Sequence, residues 1–172
     1  MELFAVFDRS GRQLGLQARD EVHRKGLWHK SAQVFVFNAQ GQLLMQQRAA
    51  DKDLYAGLWD YSVGEHLQPG ETFLQAALRG LNEELGISAV DQMIRLGGER
   101  WVEITSAHHA DREIQQAYRC EYEGDLRVDP VEVAQVRYVG LSELAAWLAD
   151  APHEFTPWFI EDMEEFDLFA DL

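Results

Sequence analysis

The segment 71–87, ETFLQAALRGLNEELGI, limits what this chain can fold into more than any other stretch. Thr72 followed three residues later by Gln75 is a capping-box pattern, and Phe73, Ala76, Ala77, Leu81 and Leu85 recur at the spacing of one helical face. Gly86 then supplies the left-handed residue that closes such a helix. On this helix Glu83 and Glu84 point toward one neighbourhood with Gly80, and Arg79 reaches Glu83 one turn on. A hard cation such as Mg²⁺ takes oxygen ligands and accepts one or two carboxylates together with substrate phosphates, which these two acids can supply. Gly80 is the odd residue. A glycine in a helix interior costs about 1 kcal/mol relative to Ala, so stability alone does not select it.

The flanking sequence predicts a mixed sheet around this helix. Residues 2–7 read as a strand turning through Asp8-Arg9-Ser10-Gly11 into 14–16, an N-terminal β-hairpin. Residues 32–37 and 43–47 flank Asn38-Ala39-Gln40-Gly41 and read as a second hairpin, with the first strand apolar enough to be central. Between 51 and 70 the pattern predicts a functional loop with one short strand over 59–63. Strands follow over 93–104, 114–122 and 131–139, then a helix capped by Ser142, and a last helix entered through Thr156-Pro157. No repeat, low-complexity tract or linker divides the 172 residues, so residues 1–172 are read as a single domain.

Charge and cysteine usage then exclude whole classes of function. The formal net charge is −15, which repels phosphate backbones at long range and argues against a nucleic-acid polymer as partner. A small anion differs, because a bound cation neutralises it locally. Cys120 is the only cysteine, so neither an intramolecular disulfide nor a cysteine-rich metal site can form, and its expected role is that of a small buried residue in a strand. No apolar run approaches the roughly 18 residues that span a bilayer, and the start of the chain has no leader pattern. A cytoplasmic location without membrane association is the expectation; nothing in the pattern sets an oligomeric state.

The stretch from about 65 to 87, EHLQPGETFLQAALRGLNEELGI, resembles the Nudix box: Gly, five residues, Glu, seven residues, then Arg-Glu-apolar-any-Glu-Glu-any-Gly-apolar. Glu71, Arg79, Leu81, Glu83, Glu84, Gly86 and Ile87 fit their places. Glu65 stands where the pattern opens with Gly, and Gly80 where it has the Glu after Arg. The resemblance implies an α/β fold, a Nudix-type α/β/α sandwich with a mixed sheet, that holds Mg²⁺ or Mn²⁺ against a small-molecule diphosphate. It places Glu83 and Glu84 among the metal ligands and Arg79 in an orienting ion pair. Two readings of the departures stay open. Either Gly80 leaves the box one carboxylate short, so that Gly80→Glu would raise both activity and stability, or Glu65 supplies the group from the loop.

A wider resemblance, reaching to about Trp158, is to the Nudix branch of isopentenyl-diphosphate isomerase and its hydrolase-like relatives. Glu21-Val22-His23, Trp28-His29, Gln47-Arg48, Gly57-Leu58-Trp59-Asp60 and Phe155-Thr156-Pro157-Trp158 carry it. By position it implies a second metal held by His23, His29, His66, Asp111 and Glu113, although His23 and His29 stand one residue closer together than the isomerase pair and Asp111 replaces a Glu. The isomerase cysteine would fall at Gly64, which carries no proton-transferring group. The leading expectation is therefore metal-dependent hydrolysis of a diphosphate bond in a small organic or nucleoside diphosphate derivative. Glu83 and Glu84 would ligate, Arg79 would orient, Glu113 would add an acid from outside the box, and Arg48 and Lys52 would hold substrate phosphates. A catalytically weak diphosphate-binding module and an isomerase-like enzyme are the alternatives.

Overall fold

A computed structural model describes residues 2–52, 54–106 and 109–170. The chain runs β1 (Leu3–Phe7), β2 (Gln13–Ala18), α1 (Arg19–Lys25), β3 (Trp28–Phe37), β4 (Leu43–Arg48), β5 (Trp59–Asp60), β6 (Val63–His66), α2 (Phe73–Leu85), β7 (Ile94–Ser106), β8 (His109–Glu121), β9 (Val133–Val139), α3 (Leu141–Asp150), a 3₁₀ turn (Pro152–Glu154) and α4 (Pro157–Glu165). All nine strands belong to one mixed sheet. Its central strand, β3, pairs in parallel with β8 from Trp28↔Arg112 to Phe37↔Glu121 and antiparallel with β6 from Ser31↔His66 to Val34↔Val63. β1 and β2 form the expected N-terminal hairpin.

Alternation along β3 explains the layers, because successive side chains of a strand point to opposite faces. Ala32, Val34 and Val36 pack with Ala76, Ala77, Leu81 and Leu85 of α2. Phe35 and Phe37 pack on the other face with Leu144 of α3 and Phe159 and Met163 of α4. The result is the expected α/β/α sandwich. A smaller core of Phe4, Val6 and Val22 fastens the N-terminal hairpin to α1.

The second hairpin was expected to pair along its length, and it does not. The turn at Asn38–Gly41 forms, with Gly41 N–H donating to the Asn38 carbonyl at 2.9 Å, but β3 and β4 share the single pair Phe37↔Leu43. They then part. β4 takes β9 along one edge and β5 at Gln46↔Asp60 and Gln47↔Trp59, while β3 takes β6. The strand expected over 59–63 is accordingly two strands, with Tyr61 and Ser62 crossing between the two halves of the sheet. Ser62, fully buried, stitches the fork: its hydroxyl accepts from Val36 N–H at 2.8 Å and donates to the Leu44 carbonyl at 2.6 Å.

Around α2 the local chemistry is as expected. Thr72 and Gln75 form a reciprocal capping box and Gly86 closes the helix at φ 71°. The expectation for α3 is corrected: the helix begins at Leu141 after Gly140, no side chain caps it, and Ser142 lies inside its first turn. α1 was not foreseen. It is seven residues long, has no side-chain cap and buries only Val22; Glu21 pairs with Arg24 and Lys25 and Gly26 closes it, but a helix this short also needs its tertiary contacts.

Ser62→Ala removes both hydrogen bonds at the fork and leaves two buried backbone groups short of a partner. It is expected to cost about 1–3 kcal/mol in urea unfolding. An unchanged unfolding midpoint would show that the fork holds without the stitch.

Candidate metal and diphosphate site

The parting of β3 and β4 opens a cavity of about 760 Å³, in the size range of small-molecule sites. Glu83, Glu84, Arg79, Glu113, Arg48, Lys52, His23, His66 and Asp111 all line it. His29, 1% exposed, stands just behind the wall. Acids outnumber Arg and Lys in the lining, so the side chains alone repel the diphosphate expected there and a cation is needed to hold it.

The box end is organised by Arg79. Its Nε and Nη2 donate in a fork to Glu71 at 2.9 Å each, Nη2 also donates to the His66 carbonyl at 2.8 Å, and Nη1 lies 3.1 Å from Glu65 and 3.3 Å from Glu83. One guanidinium thereby ties the loop, the end of β6 and α2 together. The expected partner was Glu83 alone; the bidentate bond to Glu71 is the stronger geometry. These acids hold the guanidinium firmly in its charged form. Glu83 is exposed, whereas Glu84 is 7% exposed and accepts from Gln46 Nε2 at 3.2 Å. Burial pushes the Glu84 carboxyl well above the usual range, and the charge of Glu65 pushes it further. A cation would relieve that strain, and the all-oxygen donors suit Mg²⁺.

Gly80 is buried against β6. A Cβ there would lie 2.6 Å from Val63 Cγ1 and 3.1 Å from Glu65 Cβ. The expectation that Gly80→Glu simply completes the acidic face and adds stability is therefore corrected: the space beside Gly80 is already filled, in part by Glu65 itself.

At the other end three imidazoles converge. Alternation on β3 sends His29, Ser31 and Gln33 to one face, and on β8 sends Asp111, Glu113 and Gln115 to the same face in parallel register. His66 joins them from β6 and His23 from α1. One ligand atom from each of His23, His29, His66 and Asp111 lies within 4.8 Å of the others, so the shortened spacing between His23 and His29 does not separate them. Phe4 seats the cluster, stacking on His29 at 5.3 Å between centroids and touching both other rings.

Two details point to a cation among these groups. His29 Nδ1 lies 2.9 Å from the Leu27 carbonyl, which fixes Nδ1 as the protonated nitrogen and turns the Nε2 lone pair inward. His29 Nε2 and Asp111 Oδ1, 3.5 Å apart, are both buried and have no hydrogen-bond partner among the described residues. Burial, aided by His66, lowers the His29 pKa to about 4, and burial with the charge of Glu113 raises that of Asp111 to about 7. Burial works against the charge on Glu113 too, but the hydrogen bond from His66 at 3.1 Å, the charges of His66 and His29 and the hydrogen bond from Gln115 at 2.7 Å hold its carboxyl well below the usual range, and Ser31 donates to it at 2.6 Å. Neutral imidazole with carboxylate is a donor set for Mn²⁺ or Zn²⁺ more than for Mg²⁺.

Arg48 and Lys52 face the cavity already engaged. Arg48 donates to the Leu54 carbonyl at 3.0 and 3.1 Å and sits over the Trp158 ring, and Lys52 pairs with Glu132. Gly64 is closed as a proton-transfer position: a Cβ there would lie 2.8 Å from the Tyr61 ring. Ser31, Gln33, Gln46 and Gln115 escaped the sequence analysis. For all but Gln46 the signal is a polar residue at every second place, His29-Ser31-Gln33 and Asp111-Glu113-Gln115, which Lys30 and Arg112 at the places between obscure.

Comparison with known proteins identifies the family and the fold. The NUDIX domain family matches residues 27–159. An isopentenyl-diphosphate Delta-isomerase of Serratia proteamaculans is 30% identical over 95% of this chain and 90% of its own length. A crystal structure from Deinococcus radiodurans shares the fold with a TM-score of 0.67, at 22% identity over 87% of this chain and 90% of that one. A MutT NUDIX hydrolase from Burkholderia pseudomallei does so with a TM-score of 0.57, at 21% identity over 78% of this chain and 97% of that one. The chain belongs to the NUDIX domain family, in a branch that resembles isopentenyl-diphosphate isomerase.

Proposed function

We propose that this protein is a metal-dependent hydrolase of a diphosphate bond in a small organic or nucleoside diphosphate derivative. The observation that carries this reading is the meeting, in one acid-lined cavity, of the box carboxylates with Asp111, whose buried Oδ1, like the Nε2 of His29 just behind the wall, has no hydrogen-bond partner among the described residues. Divalent cations held there would neutralise phosphate oxygens and lower the pKa of an attacking water. Glu83 and Glu84 would hold one cation, and His23, His29, His66, Asp111 and Glu113 the other. Arg79 keeps the box acids in place, Glu113 keeps its charge and orients His66, and Ser31 and Gln115 orient Glu113. Arg48 and Lys52 are the cationic side chains offered to the substrate, and each must exchange its present partner for a phosphate oxygen.

The kinship with an isopentenyl-diphosphate Delta-isomerase and the complete second donor set favour a second reading, an isomerase-like reaction. Against it stands Gly64, whose missing side chain leaves a space filled by Tyr61. Incorporation of deuterium from D₂O into isopentenyl diphosphate would select that reading. Stabilisation by a diphosphate without its turnover would select a binding module. Phosphate release from a panel of diphosphates with Mg²⁺ or Mn²⁺, abolished by a chelator and restored by metal, is the result expected here.

Two substitutions separate the ends of the cavity. Glu84→Gln is expected to lower Mg²⁺ affinity by at least ~10-fold, as loss of a ligand should exceed the 10- to 100-fold effect typical of supporting groups, while raising the melting temperature of the metal-free protein. His29→Gln should lower Mn²⁺ or Zn²⁺ affinity by a similar factor and leave the Mg²⁺ isotherm unchanged. Unaltered isotherms in both variants would remove the assigned ligands.

A further inference from the structure

The two departures from the Nudix box occur as a pair, Glu where the pattern has Gly and Gly where it has Glu. We propose that they are one reciprocal exchange, in which Glu65 delivers from strand β6 the cation-binding carboxylate that the pattern places on helix α2 at position 80.

The positions lie against each other. A Cβ at position 80 would lie 3.1 Å from Glu65 Cβ and 3.4 Å from Glu65 Cγ, so the stem of Glu65 borders the volume a side chain at 80 would enter. α2 packs closely on β6 there because Gly80 has no side chain, and Val63 Cγ1 fills the remainder at 2.6 Å. Two glutamates cannot share that volume, and two glycines would leave the box short of a carboxylate. The carboxylate of Glu65 emerges beside the groups that a residue at 80 would join: Arg79 Nη1, 3.1 Å away, also binds Glu83, and Glu65, Glu83 and Glu84 line the same cavity. The register of β6 makes the arrangement specific. Glu65 pairs with Ala32, whose side chain lies in the α2 core, whereas His66 pairs with Ser31, which bonds Glu113. Adjacent residues of one short strand therefore serve the two ends of the cavity.

The inference rests on the hydrolase reading's assignment of a cation to the box, and the test separates the two. Mg²⁺ titration by calorimetry and thermal unfolding without metal are read on the parent, Glu65→Gly, Gly80→Glu and the double variant. Glu65→Gly should weaken Mg²⁺ binding by at least ~10-fold, and the double variant should recover most of it. Gly80→Glu should lower the melting temperature in both backgrounds, because Val63 Cγ1 would lie 2.6 Å from its Cβ in each, and the drop should be larger in the parent, where Glu65 crowds it as well. Glu65→Gln, which keeps the stem and the packing, should lose Mg²⁺ affinity while the protein stays folded, so the ligand role is tested even if the double variant fails to fold. Unchanged Mg²⁺ affinity in Glu65→Gln would overturn the exchange while leaving the box cation in place. A parent that binds no Mg²⁺ would overturn the box cation as well.

Discussion

Every functional feature of this protein depends on β3 and β4 sharing only one residue pair before they part. Two adjacent strands that diverge must find other partners for their backbone groups, since unpaired buried N–H and C=O groups are costly. β6 and β5 supply them, and the crossing between these two short strands puts Ser62 at the fork, where its hydroxyl joins Val36 to Leu44. The same divergence leaves a cavity reached by side chains from both halves of the sheet and from α2. A continuous hairpin would have closed it.

What fills the cavity's walls is negative charge. Arg79 makes this tolerable at the box end by spreading one guanidinium over Glu71, Glu65, Glu83 and a loop carbonyl. At the histidine end the same role falls to His66 and to the neutral hydrogen-bond donors on Glu113, while His29 Nε2 and Asp111 Oδ1 receive nothing. That balance of charge and of unmet hydrogen bonds is what the proposed cations would relieve.

The sequence made legible what local chemistry decides. The capping box at Thr72, the glycine stop at Gly86, Pro157 at the start of α4 and the two acids of α2 each depend on residues within a turn or two. The resemblance to a known branch brought His23, His29, His66, Asp111 and Glu113 to notice, and the fold gathers them. What stayed hidden depends on distant pairing. The fork between β3 and β4 arises because β6 takes the edge of β3 that β4 leaves after Phe37↔Leu43, while β8 fills the opposite edge. α1 is too short to stand on its own ion pairs and gains its burial from Val22 against Phe4 and Val6. Gly80 looked like a lost carboxylate because the sequence does not show that residue 65 lies against it.

A crystal structure with Mn²⁺ and a non-hydrolysable diphosphate, with the metal located by anomalous scattering, tests the account most directly. The account predicts two cations in the one cavity. One should lie within about 2.0–2.3 Å of Nε2 or Nδ1 of at least two of His23, His29 and His66. The other should bridge the diphosphate to carboxylates of Glu84 and Glu65. A single cation touching neither the imidazoles nor Glu84, or a diphosphate bound to Arg48 and Lys52 with no metal beside it, would contradict it.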